Sequence, residues 1–344
     1  MQNKLKIMVL TAEDSLKVFR MTPERIEAAL ERFPEFRGKV EISITRTSTS
    51  FENDPSWNSE DYEKFRRDIV NADILVGYMF PLAEVAALAP NLKWIHIIGA
   101  GIEHLLPLDW LPEGCVLTNN RGAHAPKTCE YAMMALLMLA NHMPRLACAQ
   151  QKRKWDAHFV SVIRGSKAAI LGAGKQGSAV ALAAKRLGLN TVGVDIDTSP
   201  RENFDEILPP SRLNEALGSA DYVVVTLPST KDTYRFIGEK EFAVMKEGAG
   251  FINISRGRIV DSEALIASLK SGHLSGAVLD VFEQEPLPVE SPLWSAPNLT
   301  MSPHMGCDDE DNYIHRTFDI VFENLRRLEA GERLENVVDR KKGY

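Results

Sequence analysis

Residues 168–195 leave this chain few ways to fold. Ala168, Ala169, Ile170 and Leu171 read as a short buried strand, and Gly172, Gly174 and Gly177 follow in G-x-G-x-x-G spacing. The next segment, SAVALAAKRLGLN, favours a helix, with Val180, Ala184 and Leu187 on one face and Gly188 as its stop. TVGV (191–194) reads as a second strand, ended by Asp195. Glycines alone mark any turn. Strand, glycine loop, helix, strand and terminal acid in this order predict a βαβ unit that holds a dinucleotide. The first glycine permits the tight turn, the second lets a pyrophosphate approach the backbone, and the third lets helix pack on strand. Unpaired N–H groups at the helix start face the phosphates. Asp195, 18 residues past Gly177, stands where a carboxylate accepts from a ribose 2′-hydroxyl. That carboxylate would repel a 2′-phosphate, so the expected cofactor is NAD. Lys185 and Arg186 precede the strand and do not replace the acid.

Three later segments repeat one pattern. FINISRGRIVD (251–261), GAVLDVFEQEPLP (276–288) and LTMSPHMG (299–306) each run through apolar strand-like residues into polar ones. They deliver Arg256, Glu285 and His304 just past strand ends. Ligands of open parallel sheets bind beyond the carboxyl ends of the strands. Taken singly, each residue has a bland reading: a capping Arg, a turn Glu before Pro286, a hydrogen-bonded structural His. Placed together downstream of the glycine loop, a cation, a carboxylate and an imidazole can hold an acid substrate and move a proton.

The first hundred residues alternate strand and helix signals as a parallel α/β domain does. KIMVL (6–10), VEISIT (40–45), ILVGYMF (74–80), KWIHIIG (93–99) and CVLTN (115–119) read as strands. TPERIEAALERF (22–33) reads as a helix capped by Thr22, and SEDYEKFRRDIVNA (59–72) as one capped by Ser59. A helix from Pro126 to His142 is apolar nearly all round, which predicts burial. Strands near 168–171, 191–194, 221–227, 250–254, 277–281 and 299–302 and a final helix near 310–329 complete the reading.

Composition narrows the function. At 344 residues the chain is long enough for two domains. A net charge of −7 without a basic tract argues against nucleic acid as a partner. The longest apolar stretch, YAMMALLMLA (131–140), is too short to span a bilayer, so no membrane role is expected. The start MQNKLKIMVL lacks a secretory pattern, and Cys115, Cys129, Cys148 and Cys307 show no C-x-x-C spacing. These features point to a cytoplasmic protein with free thiols. The eight histidines form no zinc-like pairs, so no metal is expected.

GAGIEHL (99–105), GAHAPKTCEYAMMALLMLA (122–140), the glycine loop, ADYVVVTLPSTKDT (220–233), INISRGRIVDSEAL (252–265), LDVFEQEPLP (279–288) and NLTMSPHMG (298–306) together resemble the D-isomer-specific 2-hydroxyacid dehydrogenase family, over about two thirds of the chain and in its order. The resemblance implies two doubly wound parallel-sheet domains with a cleft between them. A flavodoxin-like substrate domain would comprise 1–119 plus 307–344, and a Rossmann NAD-binding domain 120–306. It implies NAD-dependent interconversion of a 2-oxo acid and a D-2-hydroxy acid, glyoxylate, hydroxypyruvate or larger. The family's catalytic arginine, glutamate and histidine fall on Arg256, Glu285 and His304. Asp280 falls where an aspartate holds the nicotinamide carboxamide, and Ala100 and Gly101 where backbone binds the substrate carboxylate. Lys175, Gln176, Leu227, Pro228, Ile254, Ser255 and Thr128 are the further cofactor-binding candidates. Tyr78 and Phe80 are candidates for an apolar substrate wall; core packing is their alternative. Lys93 is the one cation in 75–107, which weakens a phosphoglycerate reading. Glu103 replaces the usual Asp, and Thr128 and Cys129 the usual Val and Ala; these departures bear on specificity. A homodimer through the 126–142 helix is also implied. Two alternatives stay open: an NAD-sensing corepressor-like binding protein, and a formate- or phosphite-type dehydrogenase, whose formate-oxidising members carry Gln where this chain has Glu285.

Overall fold

A computed structural model describes residues 4–51 and 55–343. The chain divides into two compact units, one running to Ala123 and resuming at Asp309, the other spanning His124–Asp308. The crossings thus lie at 123/124 and 308/309.

The first unit is built on a five-stranded sheet of β1 (Leu5–Ala12), β2 (Val40–Thr47), β3 (Ile74–Gly77), β4 (Trp94–Ile97) and β5 (Val116–Asn119). The order is β2-β1-β3-β4-β5 and every pairing is parallel, which is the flavodoxin-like winding. Parallel strands covered on both faces read as continuous apolar runs, and β3 and β4 are buried throughout. The helix Tyr313–Ala330 returns to this unit. Its Tyr313, Phe318, Val321 and Phe322 pack with Ile7, Val9, Val76 and Trp94. Thr22 caps Pro23–Arg32 by accepting from Arg25 N. The second helix, Ser59–Ile69, is capped by Asn58 rather than Ser59; the Asn58 side chain accepts from Asp61 N. The third strand ends at Gly77, three residues short of the expected run.

The second unit carries seven parallel strands: β6 (Lys167–Leu171), β7 (Asn190–Val194), β8 (Glu206–Leu208), β9 (Tyr222–Val225), β10 (Ala249–Asn253), β11 (Leu274–Leu279) and β12 (Leu299–Met301). Their order, β12-β11-β10-β9-β6-β7-β8, is the Rossmann winding with one added edge strand. The helix Ala125–Ala140 buries Tyr131, Ala132, Ala135, Leu136 and Leu139 against this sheet. It is not buried all round, because Met134 and Leu137 are 43% and 40% exposed. Among the described residues no helix is long and apolar enough to cross a membrane.

Candidate active site

The glycine loop has the geometry its spacing demands. Gly172 sits at φ +96°, where a side chain would be strained and would press on the Thr226 carbonyl. A Cβ on Gly177 would lie 2.0 Å from the Gly172 carbonyl oxygen, so helix Lys175–Arg186 can start there only on glycine. Among the described residues nothing lies within 4 Å of a Cβ placed on Gly174, which leaves that backbone open to an approaching phosphate. The Thr226 hydroxyl fixes the loop from beneath, 2.8 Å from Gly172 O. Asp195 accepts from Ala173 N at 2.7 Å and from Asp197 N at 3.0 Å. This cradle fits a dinucleotide. Gln176 donates to Ile254 O at 2.8 Å, while Lys175 is exposed. Leu227 is half-buried and Pro228 exposed at the end of β9, and Ile254 and Ser255 are buried beyond β10. Thr128 is fully buried in the first turns of the helix Ala125–Ala140. One neighbour was not foreseen: the Arg201 guanidinium lies 3.8 Å from Asp195 and donates to Asp197.

Arg256, Glu285 and His304 meet through the loops beyond β10, β11 and β12. Asn253, the last residue of β10, donates to Arg256 O at 3.0 Å and accepts from Ser255 N at 3.1 Å. Arg256 Nη1 donates to Ser255 O at 2.7 Å. Gly257 then packs so closely on the Phe282–Glu283 peptide that a Cβ would lie 1.8 Å from the Phe282 carbonyl carbon. Phe282 N donates to Glu285 Oε1 at 2.8 Å. The other oxygen, Oε2, takes His304 Nδ1 at 2.6 Å. A carboxylate can only accept, so Nδ1 carries the proton and Nε2 is left for chemistry.

The electrostatics follow this geometry. The Glu285 hydrogen bond is the main influence on His304 and, with that carboxylate's charge, raises the imidazole above its ordinary value against the opposing effect of burial. Burial works to raise Glu285, but bonds from His304 and Phe282 N and the charges of His304 and Arg256 outweigh it and hold the carboxyl low. Both side chains keep a solvent-facing portion, 47% for His304 and 34% for Glu285.

Asp280, beyond β11, is 1% exposed. Its carboxylate accepts from Ser302 Oγ at 2.6 Å, Met305 N at 3.1 Å and Gly306 N at 2.9 Å. Its carbonyl accepts from His304 N at 2.7 Å. Burial raises its pKa, in opposition to those donors. Asp280 therefore folds the turn that presents His304. Ser302 and Gly257 escaped the sequence reading; proximity to the candidate triad was their one signal.

In the first unit, Ala100 and Gly101 lie half-buried in the loop beyond β4, with Ala100 O accepting from Asn119 Nδ2 at 2.7 Å. Tyr78 lies beyond β3, half-buried, its ring centroid 4.4 Å from that of His104. Phe80 has no accessible surface and packs edge-on against Trp110. It belongs to the core, which corrects its reading as a substrate wall. Among the described residues no group of three or more His, Cys, Asp and Glu is placed to hold a metal ion.

Known proteins resemble this chain in sequence and fold. The NAD binding domain model of the D-isomer specific 2-hydroxyacid dehydrogenases matches residues 133–306. A glyoxylate reductase of Korarchaeum cryptofilum is 31% identical over 265 residues, 75% of this chain and 79% of that protein. A D-3-phosphoglycerate dehydrogenase of Archaeoglobus fulgidus is 30% identical over 75% of this chain, which spans only 49% of that longer protein. A D-isomer specific 2-hydroxyacid dehydrogenase from Xanthobacter autotrophicus, solved with NADPH and MES, superposes with TM-score 0.79 at 28% identity, over 98% of this chain and 99% of that one. An NADPH-dependent glyoxylate/hydroxypyruvate reductase of Sinorhizobium meliloti, solved with NADP and sulfate, gives 0.76 at 27% identity, over 98% and 100%. With the glycine cradle, the strand-end triad and both sheet windings in place, the chain belongs to the D-isomer specific 2-hydroxyacid dehydrogenase family.

Proposed function

We propose that this protein reduces a small 2-oxo acid of the glyoxylate or hydroxypyruvate kind to its D-2-hydroxy acid, and catalyses the reverse. The observation that carries the reading is the His304–Glu285 pair at 2.6 Å, with Arg256 in the adjoining loop. When bound in the cradle, the nicotinamide supplies the hydride. His304, charged with the help of Glu285, donates the Nε2 proton to the oxygen that gains negative charge. Glu285 keeps the ring oriented and Nδ1 protonated. Arg256 offers a planar fork of donors to the substrate carboxylate and polarises the carbonyl. Within the first unit, the Ala100–Gly101 backbone and Tyr78 stay candidates for contact with a substrate. The cradle residues Gly172, Gly174 and Gly177 are assigned to the pyrophosphate and Asp280 to the carboxamide region.

Asp195 supports preference for NADH, because its carboxylate suits a 2′-hydroxyl. The NADPH and NADP of the solved relatives, and Arg201 beside Asp195, make the preference a matter of degree. A homodimer is supported by the exposed Met134 and Leu137 and by Trp155, Phe159 and Val162, which are 95%, 95% and 83% exposed farther along the chain. Light scattering over a dilution series tests it; a monomer with full activity refutes it. Four unpaired cysteines favour a reducing, cytoplasmic setting.

The test is a panel of 2-oxo acids assayed by loss of the reduced nicotinamide's absorbance, with His304→Ala alongside. His304→Ala is expected to lose on the order of 100- to 10,000-fold in turnover while NADH binding stays near wild type. A wild type inactive on every acid, or a variant that keeps its rate, refutes the reading.

A further inference from the structure

We propose that Tyr131, on a helix with no residue in the triad, is a positioning residue that holds the His304 turn through Ser302 and Asp280. His304 sits at φ +49°, in the left-handed region that non-glycine residues avoid. Such a conformation persists only where its surroundings impose it. Here two features of Tyr131 do so. Its hydroxyl lies 2.5 Å from Ser302 Oγ, and Ser302 Oγ lies 2.6 Å from Asp280 Oδ1. Ser302 has one hydroxyl proton and Asp280 can only accept, so that proton points to Asp280 and Tyr131 is the donor to Ser302. The chain runs in one direction, from tyrosine to serine to carboxylate. The second feature is steric. The Tyr131 ring lies so close to Gly306 that a Cβ there would be 2.4 Å from Cε2. The ring and the Asp280 carboxylate, which takes Gly306 N at 2.9 Å, hold the far end of the turn.

This arrangement reaches the reacting atoms through His304 alone. Tyr131 is 8% exposed, and burial pushes its phenol up to about 12, so it serves as a fixed donor and not as an acid. Donors in a hydrogen-bonded chain strengthen one another. Removing the first weakens the grip of Ser302 on Asp280 and loosens the turn that sets Nδ1 at 2.6 Å from Glu285. The imidazole then loses part of the support for its charged form. The inference rests on His304 acting as the proton donor proposed above.

Tyr131→Phe keeps the ring over Gly306 and removes only the hydroxyl. Rates, NADH binding and the NMR titration of the His304 ring, assigned against His304→Gln, are measured for wild type, Tyr131→Phe, Ser302→Ala and the double variant. Tyr131→Phe is expected to lower kcat about tenfold with KM for the 2-oxo acid and Kd for NADH within about twofold. The His304 ring is expected to titrate at lower pH, and the double variant to be no slower than Ser302→Ala, since both substitutions cut one chain. An unchanged His304 titration in Tyr131→Phe overturns the proposal whatever the rate does. Losses that multiply in the double variant also overturn it. A wild type inactive on every 2-oxo acid removes the reductase reading instead, and the titration alone then decides the role of Tyr131.

Discussion

Gly257→Ala tests whether the triad depends on close contact between two loops. Gly257 follows Arg256, and the peptide it touches, Phe282–Glu283, anchors Glu285 through Phe282 N at 2.8 Å. An alanine Cβ would lie 1.8 Å from Phe282 C, 2.2 Å from Phe282 O and 2.3 Å from Glu283 N, against ordinary contact at 3.4–4 Å. All three atoms are backbone, so no rotamer change relieves the clash. Opening 1.8 Å to 3.4 Å moves the Arg256 loop and the Glu285 loop apart by about 1.6 Å. A misplacement of about 1 Å costs on the order of 100-fold in rate when reacting groups must be aligned. The expected result is a loss of about two orders of magnitude in kcat, from initial rates on the best 2-oxo acid. Nicotinamide fluorescence should report NADH binding close to wild type, because the glycine cradle lies beyond β6. Gly272→Ala is the control: it also strains a backbone, at φ +78°, but meets nothing within 4 Å among the described residues and should keep its rate. A Gly257→Ala protein that binds NADH and retains more than a fifth of wild-type kcat refutes the claim that this contact sets the site.

Three further outcomes follow from the charges. Glu285→Gln keeps an acceptor for Nδ1 but removes the carboxylate charge that helps raise His304; reduction needs the imidazolium and fails as pH rises through its pKa, so the falling limb of the reductive profile should move to lower pH, and an unmoved or upward limb removes Glu285 from its role. Asp195→Ala should narrow the ratio of kcat/KM for NADH over NADPH, and a wild type that favours NADPH contradicts the assignment of that acid. His96, fully buried on β4, is held by burial down to about 4 from an ordinary 6.5. The unfolded chain therefore binds its proton first, and stability that is complete above the unfolded pKa is lost as pH falls toward 4, by about 3 kcal/mol at most. His96→Phe should flatten the fall in urea midpoint between about pH 7 and about pH 4.5, and equal slopes in both proteins would remove His96 from the account.

Much of the fold was legible because parallel strands covered on both faces are continuous apolar runs between turn signals. Local pattern failed where it underdetermines the answer. Three-residue β8 (Glu206–Leu208) is too short to show a period. Asn58 and Ser59 are both good caps, and sequence could not choose between them. The apolar circumference of Ala125–Ala140 read as burial, yet Met134 and Leu137 face outward. A core and a surface covered by another chain require the same residues. ILVGYMF read as one strand, but the sheet ends at Gly77, with Phe80 in the core and Tyr78 only half covered.

The site's candidate residues were legible in sequence, but the bracing roles that several of them play were not. The first polar residues at the strand ends serve the backbone: Asn253 binds the main chain at Ser255 and Arg256, and Asp280 binds Met305 and Gly306. Asp195 accepts from Ala173 N in the same manner, so the carboxylate proposed to meet a ribose also braces the glycine loop. The longer side chains of the candidate triad come later, with Arg256 and His304 each three residues past the ends of β10 and β12. This division has a physical cause. A loop leaving a buried strand carries N–H and C=O groups that lose water before they find partners, and an unpaired one costs about 1–3 kcal/mol. A short polar side chain at the strand end satisfies them and fixes the loop's direction. Only a loop fixed in that way can hold a longer side chain at a set position. Sequence shows the longer side chains, because their chemistry is recognisable in one dimension. The bracing residues act across gaps such as the 22 positions from Asp280 to Ser302, and only the sheet order brings those partners together.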